Sequence, residues 1–134
     1  MKKIITHTDG GARGNPGPAA IGCVIEDQQT HEIYTISRSI GSTTNNQAEY
    51  RALLAALEKA KDLHATHVAC YLDSELVVKQ MNGDYKVRDK NLAPLFLKIW
   101  NLSHDFSSIS FTHIPRSLNK KADALVNEAL DRES

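Results

Sequence analysis

The feature that most constrains this chain is a single acid that separates a strand-like segment from a loop rich in glycine and proline. The side chains of residues 3–8 alternate between the two faces as in a strand, and Ile4 and Ile5 offer apolar contacts to either face. Asp9 follows directly. Residues 10–18 contain four glycines and two prolines. Glycine permits close approach of another backbone, and proline fixes the path of the chain. The pattern predicts a strand that delivers a carboxylate beside a close-contact loop, although an Asp-Gly pair is also typical of a plain turn.

Length, charge and cysteine content exclude several classes of protein. The chain has 134 residues, which predicts one domain over residues 1–134. Its 16 basic and 16 acidic residues cancel, so no global field attracts nucleic acid or membranes. Cys23 and Cys70 each lie in an apolar run without a partner at metal-ligand spacing, which predicts buried reduced thiols. No apolar run suits a signal peptide or a membrane span, so we expect a cytoplasmic protein without membrane contact.

The amino-terminal half predicts an antiparallel meander followed by a helix. Residues 19–26 and 33–40 alternate as strands, and a polar turn separates them. We expect Gly41-Ser42 to break the sheet. Residues 48–60 then repeat alanine and leucine at helical spacing, after a Thr/Asn cluster that supplies capping side chains.

The carboxyl-terminal half predicts further strands that alternate with helices. The apolar run 67–72 leads into a helix at 74–81, and polar residues fill a loop at 82–91. A helix at 92–102, a strand at 109–114 and a helix at 118–130 complete the chain. Strands that alternate with helices favour parallel pairing, so the whole pattern indicates an α/β fold.

Four carboxylates stand where these elements meet. Asp9 and Asp73 end predicted strands, whereas Glu49 and Asp123 border the apolar faces of predicted helices. Individually they have ordinary explanations, such as a turn for Asp9, a helix cap for Asp73 or a helix boundary for Glu49. Together they would repel one another at the carboxyl ends of the strands, where α/β sheets gather their ligand sites. A bound divalent cation is the simplest way to offset this repulsion. Because the four residues offer only oxygen ligands, Mg²⁺ or Mn²⁺ is favoured.

Four motifs follow one another in the order and spacing of a known family. They are Asp9-Gly10-Gly11 with residues 14–18, Thr44 to Glu49, Asp73-Ser74, and Asn119 to Asp123. From about residue 3 to 130 the chain resembles ribonuclease H, type 1, in a short form. The resemblance implies an α/β ribonuclease H-like fold with helices on both faces of a mixed five-stranded sheet. Strands 1–3 are then antiparallel, and strands 4 and 5 run parallel to strand 1.

The same resemblance implies an endonuclease that hydrolyses the RNA strand of RNA/DNA hybrids and leaves 5′-phosphate and 3′-hydroxyl ends. Its cofactor is expected to be a pair of Mg²⁺ ions, for which Mn²⁺ substitutes. Two such ions clamp the attacking and leaving oxygens of an in-line displacement. By this matching Asp9 bridges both ions, and Glu49 and Asp73 hold the ion on the leaving-group side. Asp123 holds the ion that activates the attacking water.

Substrate contacts follow from the resemblance as well. Recognition of a hybrid requires groups that sense the ribose 2′-hydroxyl and the shape of the minor groove. The residues that match the family at these contacts are Gly11, Ala12, Asn15, Thr44, Asn45 and Gln47. For Asn15 and Asn45, plain turn and cap roles remain open. At Glu75 the chain departs from the family, since many relatives carry a neutral amide there that touches the RNA.

The auxiliary residue between the last strand and the last helix departs from the common pattern. Many relatives place a histidine in a flexible loop there, whereas His113 is predicted to lie inside the strand. The short loop that follows offers Arg116, which some relatives use. We favour Arg116, with His113 as the alternative. Arginine stays protonated and cannot act as a general base, so its role would be to steady phosphate charge or to help expel product.

The affinity for the hybrid is expected to be modest, because this chain lacks the basic helix that longer bacterial relatives insert after the second helix. The candidate phosphate contacts are Lys79, Lys86, Arg88 and Lys90, which are otherwise solvated loop charges.

Two other functions are open to a chain of this fold: a DNA strand-transfer enzyme and a noncatalytic hybrid-binding module. The compact glycine-rich loop and the Thr-Asn-Asn cluster weigh against the first, and the presence of all four acids weighs against the second. We expect a monomer.

Overall fold

The computed structural model describes residues 1–133 and shows an α/β fold. The strands are β1 (Lys3–Ala12), β2 (Gly17–Asp27), β3 (Ile33–Thr43), β4 (His67–Leu72) and β5 (Ser108–His113). The helices are α1 (Asn45–Asp62), α2 (Glu75–Met81), α3 (Ala93–Ser103) and α4 (Lys120–Glu133), with a single 3₁₀ turn at Arg116–Leu118. The order of elements predicted from the sequence is therefore confirmed. Within residues 1–133, no helix combines the length and the apolar character that crossing a membrane requires.

The five strands form one mixed sheet in the order β3-β2-β1-β4-β5. Strand β2 runs antiparallel to both β1 and β3. Strand β4 runs parallel to β1, and β5 runs parallel to β4. This is the mixed topology that the family resemblance implied. It makes β1 the central strand, so that groups at its carboxyl end have neighbours on both sides.

Helices cover the two faces of the sheet unequally. Helix α1 begins after Thr44, whose side chain accepts a hydrogen bond from the backbone N–H of Gln47 and so caps the helix. Its alanine and leucine face packs on β1 and β2 and, with α2 and α3, closes the larger core. Helix α4 covers the other face with a smaller cluster, which consists of Ala20, Val126, Ala129 and Leu130. Cys23 and Cys70 are buried and form no disulfide, as predicted.

The sheet extends further than the sequence predicted. Strand β3 continues through Gly41 and Ser42 to Thr43, so the expected break at Gly41-Ser42 was wrong. The pairing register of β2 and β3 shifts at this point: Ala19 pairs with Gly41 and Ala20 pairs with Ser39, so Ile40 of β3 is the extra residue. Gly41, beside it on the same strand, adopts a left-handed backbone with φ of 81°. A bulge absorbs one extra residue without ending the ladder, which is why a glycine there does not stop the strand.

Candidate active site

Three of the predicted carboxylates meet at the carboxyl end of the central strand. One oxygen from each of Asp9, Glu49 and Asp73 lies within 4.8 Å of the other two. Asp9 and Glu49 are buried, and Asp73 is half-buried. Asp123 lines the same open pocket, which has a volume of about 430 Å³. The structure therefore brings together all four acids, which are separated by up to 114 residues in the chain.

Glu49 reaches Asp9 because α1 lies directly against β1. A side chain on Gly10 would overlap the backbone of Ala48, so glycine is required for this close approach. The backbone N–H of Gly10 donates a hydrogen bond to Oε1 of Glu49. The sequence predicted that the first strand ends at Asp9 and that a loop begins at Gly10. This was wrong, because residues 10–12 continue β1 and pair with β2. Gly10 therefore serves close packing and not a turn.

Asp73 follows β4 at the level of Asp9 because the two strands are parallel and in register. Thr8 of β1 lies opposite Leu72 of β4, so the next residue of each strand is an acid at the same sheet edge. Ser74 caps α2, since its hydroxyl accepts a hydrogen bond from the N–H of Val77 at 3.3 Å. The capping role considered for Asp73 therefore belongs to its neighbour, which leaves the carboxylate for the pocket.

Asp123 is positioned by two contacts that hold α4 to the sheet. A side chain on Gly22 would overlap the backbone of Ala122, so this glycine allows α4 to lie close to β2. The side-chain amide of Asn119 donates a hydrogen bond of 2.8 Å to the carbonyl oxygen of Thr8, the residue before Asp9. Sequence reasoning missed both roles. A glycine inside a strand was the available signal for the first, because it often marks a close backbone approach.

Burial and mutual repulsion perturb the two innermost acids. Burial raises the pKa of Asp9 from its ordinary 3.8 to about 7, and the charges of Asp73 and Asp123 add to the effect, while a hydrogen bond with Glu49 opposes it. Burial and the adjacent Asp9 raise the pKa of Glu49 well above its ordinary value. Carboxylates held this way are costly to ionise unless a cation joins them. The donors are all oxygens, as Mg²⁺ and Mn²⁺ prefer, so the residues present fit such an ion.

Arg116 is the cation nearest to Asp123. Its Nη2 lies 3.2 Å from Oδ1 of Asp123, and this carboxylate raises the pKa of the guanidinium further. Arg116 also lines the acidic pocket. His113 is the last residue of β5 and is exposed, in agreement with its predicted place inside the strand.

The predicted substrate residues form a hydrogen-bonded junction beside the acids. The N–H of Ala12 donates to Oδ1 of Asn45 at 2.8 Å, and the N–H of Asn45 donates to Oδ1 of Asn15 at 3.0 Å. These bonds join the glycine-rich loop to the start of α1. The cap role considered for Asn45 belongs to Thr44, whereas Asn15 and Asn45 hold the loop and the helix together. Gly11, Ala12 and Asn45 also line the pocket, whereas Gln47 accepts a bond of 2.7 Å from the hydroxyl of Thr43.

Comparison with known proteins first gives the class of protein to which this chain belongs. The model of a family described as reverse transcriptase-like matches residues 7–129, nearly the whole chain. A protein named ribonuclease HI from Halobacterium salinarum is 43% identical over 96% of this chain and 65% of its own length. The bifunctional protein Rv2228c of Mycobacterium tuberculosis is 42% identical over 96% of this chain but only 36% of its own length. The chain therefore spans about a third of that mycobacterial relative.

Solved structures narrow the class to one family. The N-terminal RNase H domain of Rv2228c superposes with a TM-score of 0.91 at 42% identity, covering 96% of this chain and 99% of that one. RNase H1 of Halobacterium salinarum gives a TM-score of 0.92 at 43% identity, covering 97% and 98%. LC11-RNase H1, solved in complex with an RNA/DNA hybrid, gives a TM-score of 0.90 at 47% identity, covering 97% of this chain and 98% of that one. This chain belongs to the ribonuclease H family of hydrolytic nucleases, type 1, as its motifs indicated.

Proposed function

We propose that this chain is a metal-dependent endonuclease that cleaves the RNA strand of RNA/DNA hybrids. The observation that carries the proposal is the meeting of Asp9, Glu49 and Asp73 within 4.8 Å, with Asp123 in the same pocket. The similarity to LC11-RNase H1, which was solved with such a hybrid, supports this choice of substrate. We further propose that residues 1–134 act as one domain and as a monomer.

The four acids are the proposed ligands of two Mg²⁺ ions, for which Mn²⁺ substitutes. Asp9 is central to the set and would be shared, with Glu49 and Asp73 on one side and Asp123 on the other. When bound, the ions supply positive charge to the reacting phosphate and lower the pKa of the attacking water. The products would carry 5′-phosphate and 3′-hydroxyl ends. In the metal-free protein, burial raises the pKa of both Asp9 and Glu49, so each loses its proton less readily than an ordinary carboxyl group.

The junction between the glycine-rich loop and α1 is the proposed surface for the hybrid. Backbone groups of Gly11 and Ala12 would meet ribose, and Asn15, Thr44, Asn45 and Gln47 would contact the two backbones. The bonds between Ala12, Asn45 and Asn15 fix this surface before substrate arrives. A surface that is already ordered loses less entropy on binding, which favours recognition by shape.

Arg116 is the proposed auxiliary residue. Its guanidinium stays charged and already lies against Asp123, so it is placed to stabilise phosphate charge or to help the product leave.

We expect Arg116→Ala to lower kcat about 10-fold or more, with no shift of the pH-rate profile, because arginine does not titrate in the working range. His113→Ala is the matched comparison and should leave kcat nearly unchanged. A silent Arg116→Ala would refute this assignment, and a His113→Ala variant with a clearly lowered kcat would favour histidine.

The test of the proposed function uses the Asp9→Asn variant and three fluorescent duplexes. We expect the wild-type chain to cut the RNA/DNA hybrid only when Mg²⁺ or Mn²⁺ is added, and to leave double-stranded DNA intact. The variant should lose cleavage while its circular dichroism spectrum and its affinity for the hybrid are retained. Double-stranded RNA in the same assay measures how strictly the enzyme requires a DNA strand. Appreciable Mg²⁺-dependent turnover by the variant would overturn the assignment of Asp9.

A further inference from the structure

The pocket of the four acids continues beyond them between β1 and α4. These two elements run side by side: Asp9 lies beside Asp123, and a Cβ on Gly11 would lie 3.7 Å from Cγ1 of Val126. Residues three and four apart share one side of a helix, so the pocket follows α4 for two turns, about 10 Å. The residues of α4 that line it are Asp123, Val126, Asn127 and Leu130. The acids occupy one end, and the other, which we call the distal end, is lined by Arg13, Asn127 and Leu130.

Arg13 is the cation of the distal end. Among the described residues that line the pocket, only Arg13 and Arg116 carry positive charge. Arg116 lies against Asp123, whereas Nη2 of Arg13 lies 2.6 Å from Oδ1 of Asp131, further along the same helix. Asp123 and Asp131 are about 12 Å apart along the helix axis, at about 1.5 Å per residue. The two guanidinium groups therefore stand at opposite ends of the pocket.

The ion pair that holds Arg13 is one that a substrate can replace. The side chain of Arg13 is 47% exposed and that of Asp131 is 67% exposed. Exposed ion pairs contribute little to stability, because water screens their charges. Nη1 and Nε of Arg13 make no hydrogen bond with any residue that the structure describes. The backbone N–H of Arg13 donates to the carbonyl oxygen of Pro18 at 2.8 Å, so the loop fixes the backbone while the side chain can turn.

A hybrid that reaches the acids must bring further phosphates over the distal end. Each strand of a duplex carries one phosphate per about 3.4 Å of axis, so about 12 Å corresponds to three or four linkages. The net charge of the chain is zero, so these phosphates meet no general attraction and depend on local cations. A guanidinium is suited to this task, because its planar set of donors matches the oxygens of a phosphate.

We propose that Arg13 is a further substrate-binding residue, whose guanidinium exchanges Asp131 for a backbone phosphate of the hybrid. That phosphate lies about three or four linkages from the one at the four acids. The inference rests on the proposed function, because it takes an RNA/DNA hybrid as the ligand of the pocket. Asp131 keeps the guanidinium over the distal end until the substrate arrives. Arg13 thus acts on affinity, whereas Arg116 acts where the phosphate reacts.

The first test measures affinity for a fluorescent RNA/DNA hybrid by anisotropy, in a chelator so that the RNA stays intact. Arg13→Ala should weaken binding about ten-fold and lower the log-log salt slope by about 0.9, the effect of one lost phosphate contact. Arg13→Gln should do the same, and Arg13→Lys should recover part of the loss, because lysine keeps the charge but lacks the planar donors. Arg38→Ala is the matched control, since Arg38 is an exposed arginine of β3 that does not line the pocket.

Asp131→Asn separates a phosphate contact from a purely structural tie. This variant breaks the ion pair but keeps Arg13, so we expect it to bind the hybrid as tightly as the wild type or more tightly. If the pair served only to join the loop to α4, Asp131→Asn and Arg13→Ala would weaken binding equally, and that result would overturn the proposal. With Mg²⁺ present, Arg13→Ala should raise KM by about the same factor as it weakens binding, whereas Arg116→Ala is expected to lower kcat.

Failure of this inference can be told apart from failure of the proposed function. If the wild type binds and cuts the hybrid, and Arg13→Ala binds it just as tightly, only the assignment of Arg13 is wrong. If the wild type binds the hybrid but does not cut it, the nuclease proposal is wrong and the affinities of the Arg13 variants still decide this one. If the wild type does not bind the hybrid, both proposals are wrong. Circular dichroism of each variant shows that a loss of affinity is not a loss of folding.

Discussion

The raised pKa of Asp9 makes the stability of the metal-free protein depend on pH in an unusual direction. In the folded chain Asp9 keeps its proton up to about pH 7, whereas in the unfolded chain it loses the proton near 3.8. Between these values the folded state binds more protons than the unfolded state, so stability falls as pH rises. The contribution is fully present below pH 3.8 and is lost by the time pH passes about 7. Glu49, whose pKa is also raised, acts with the same sign.

The size of the effect follows from the two pKa values of Asp9. Between pH 5 and pH 8 its contribution to the free energy of unfolding falls by about 2.6 kcal/mol. For a chain of this length that corresponds to roughly 8 °C in Tm. His7 acts in the opposite sense, because burial lowers its pKa and a buried neutral imidazole favours folding at higher pH. A comparison with Asp9→Asn cancels the contribution of His7 and of other groups that do not interact with Asp9, since asparagine does not titrate. The contribution of Glu49 changes together with that of Asp9, because Asp9 helps to raise the pKa of Glu49.

The assay is thermal unfolding by circular dichroism in the presence of a chelator, from pH 5 to pH 8. We expect the wild-type Tm to fall relative to that of Asp9→Asn across this range, with the variant the more stable of the two at pH 8. Added Mg²⁺ should raise the wild-type Tm at pH 8 and raise that of the variant much less, because a ligand stabilises only the state that binds it. Asp84→Asn, at an exposed position between α2 and α3, should follow the wild type. Parallel Tm curves for the wild type and Asp9→Asn would refute the reasoning.

Three further predictions concern packing and charge. Gly22→Ala should destabilise the protein by about 1–3 kcal/mol in urea unfolding, because the new methyl group overlaps the backbone of Ala122, whereas Gly11→Ala has only ordinary contacts and should be nearly neutral. Asn119→Leu should also lower the free energy of unfolding by about 1–3 kcal/mol, since the carbonyl of Thr8 loses its hydrogen-bond donor. If Asn119 also positions the acids, the same variant should bind Mg²⁺ more weakly, and an unchanged Mg²⁺ affinity would contradict that role. Replacing Lys86 and Arg88 with alanine should lower the salt dependence of hybrid affinity by about 0.9 in log-log slope for each lost phosphate contact, and an unchanged slope would make them solvated loop charges.

Much of the architecture was predictable because its causes are local. Alternation marked the strands, and the alanine and leucine spacing of α1 with Thr44 before it marked the helix that carries Glu49. The position of Asp73 followed from parallel pairing alone. Long-range contacts were beyond such reasoning: nothing local in Asn119 shows that its amide crosses to Thr8, and nothing local in Gly22 names α4 as its neighbour. The prediction that β3 breaks at Gly41 failed for the same reason, because the bulge at Ile40 that permits the strand to continue is defined only by its pairing with β2.

The four acids reside on β1, on α1, directly after β4 and on α4. No fragment of the chain that lacks one of these elements can assemble the set, so the proposed binding of Mg²⁺ would report on whether β1, α1, β4 and α4 are packed together. Local fraying of α4 would remove Asp123 while the sheet persists, and hydrogen exchange of the α4 amides should therefore slow when the ion is added. The same dispersion means that a truncated product of interrupted synthesis would be unable to cut nucleic acid.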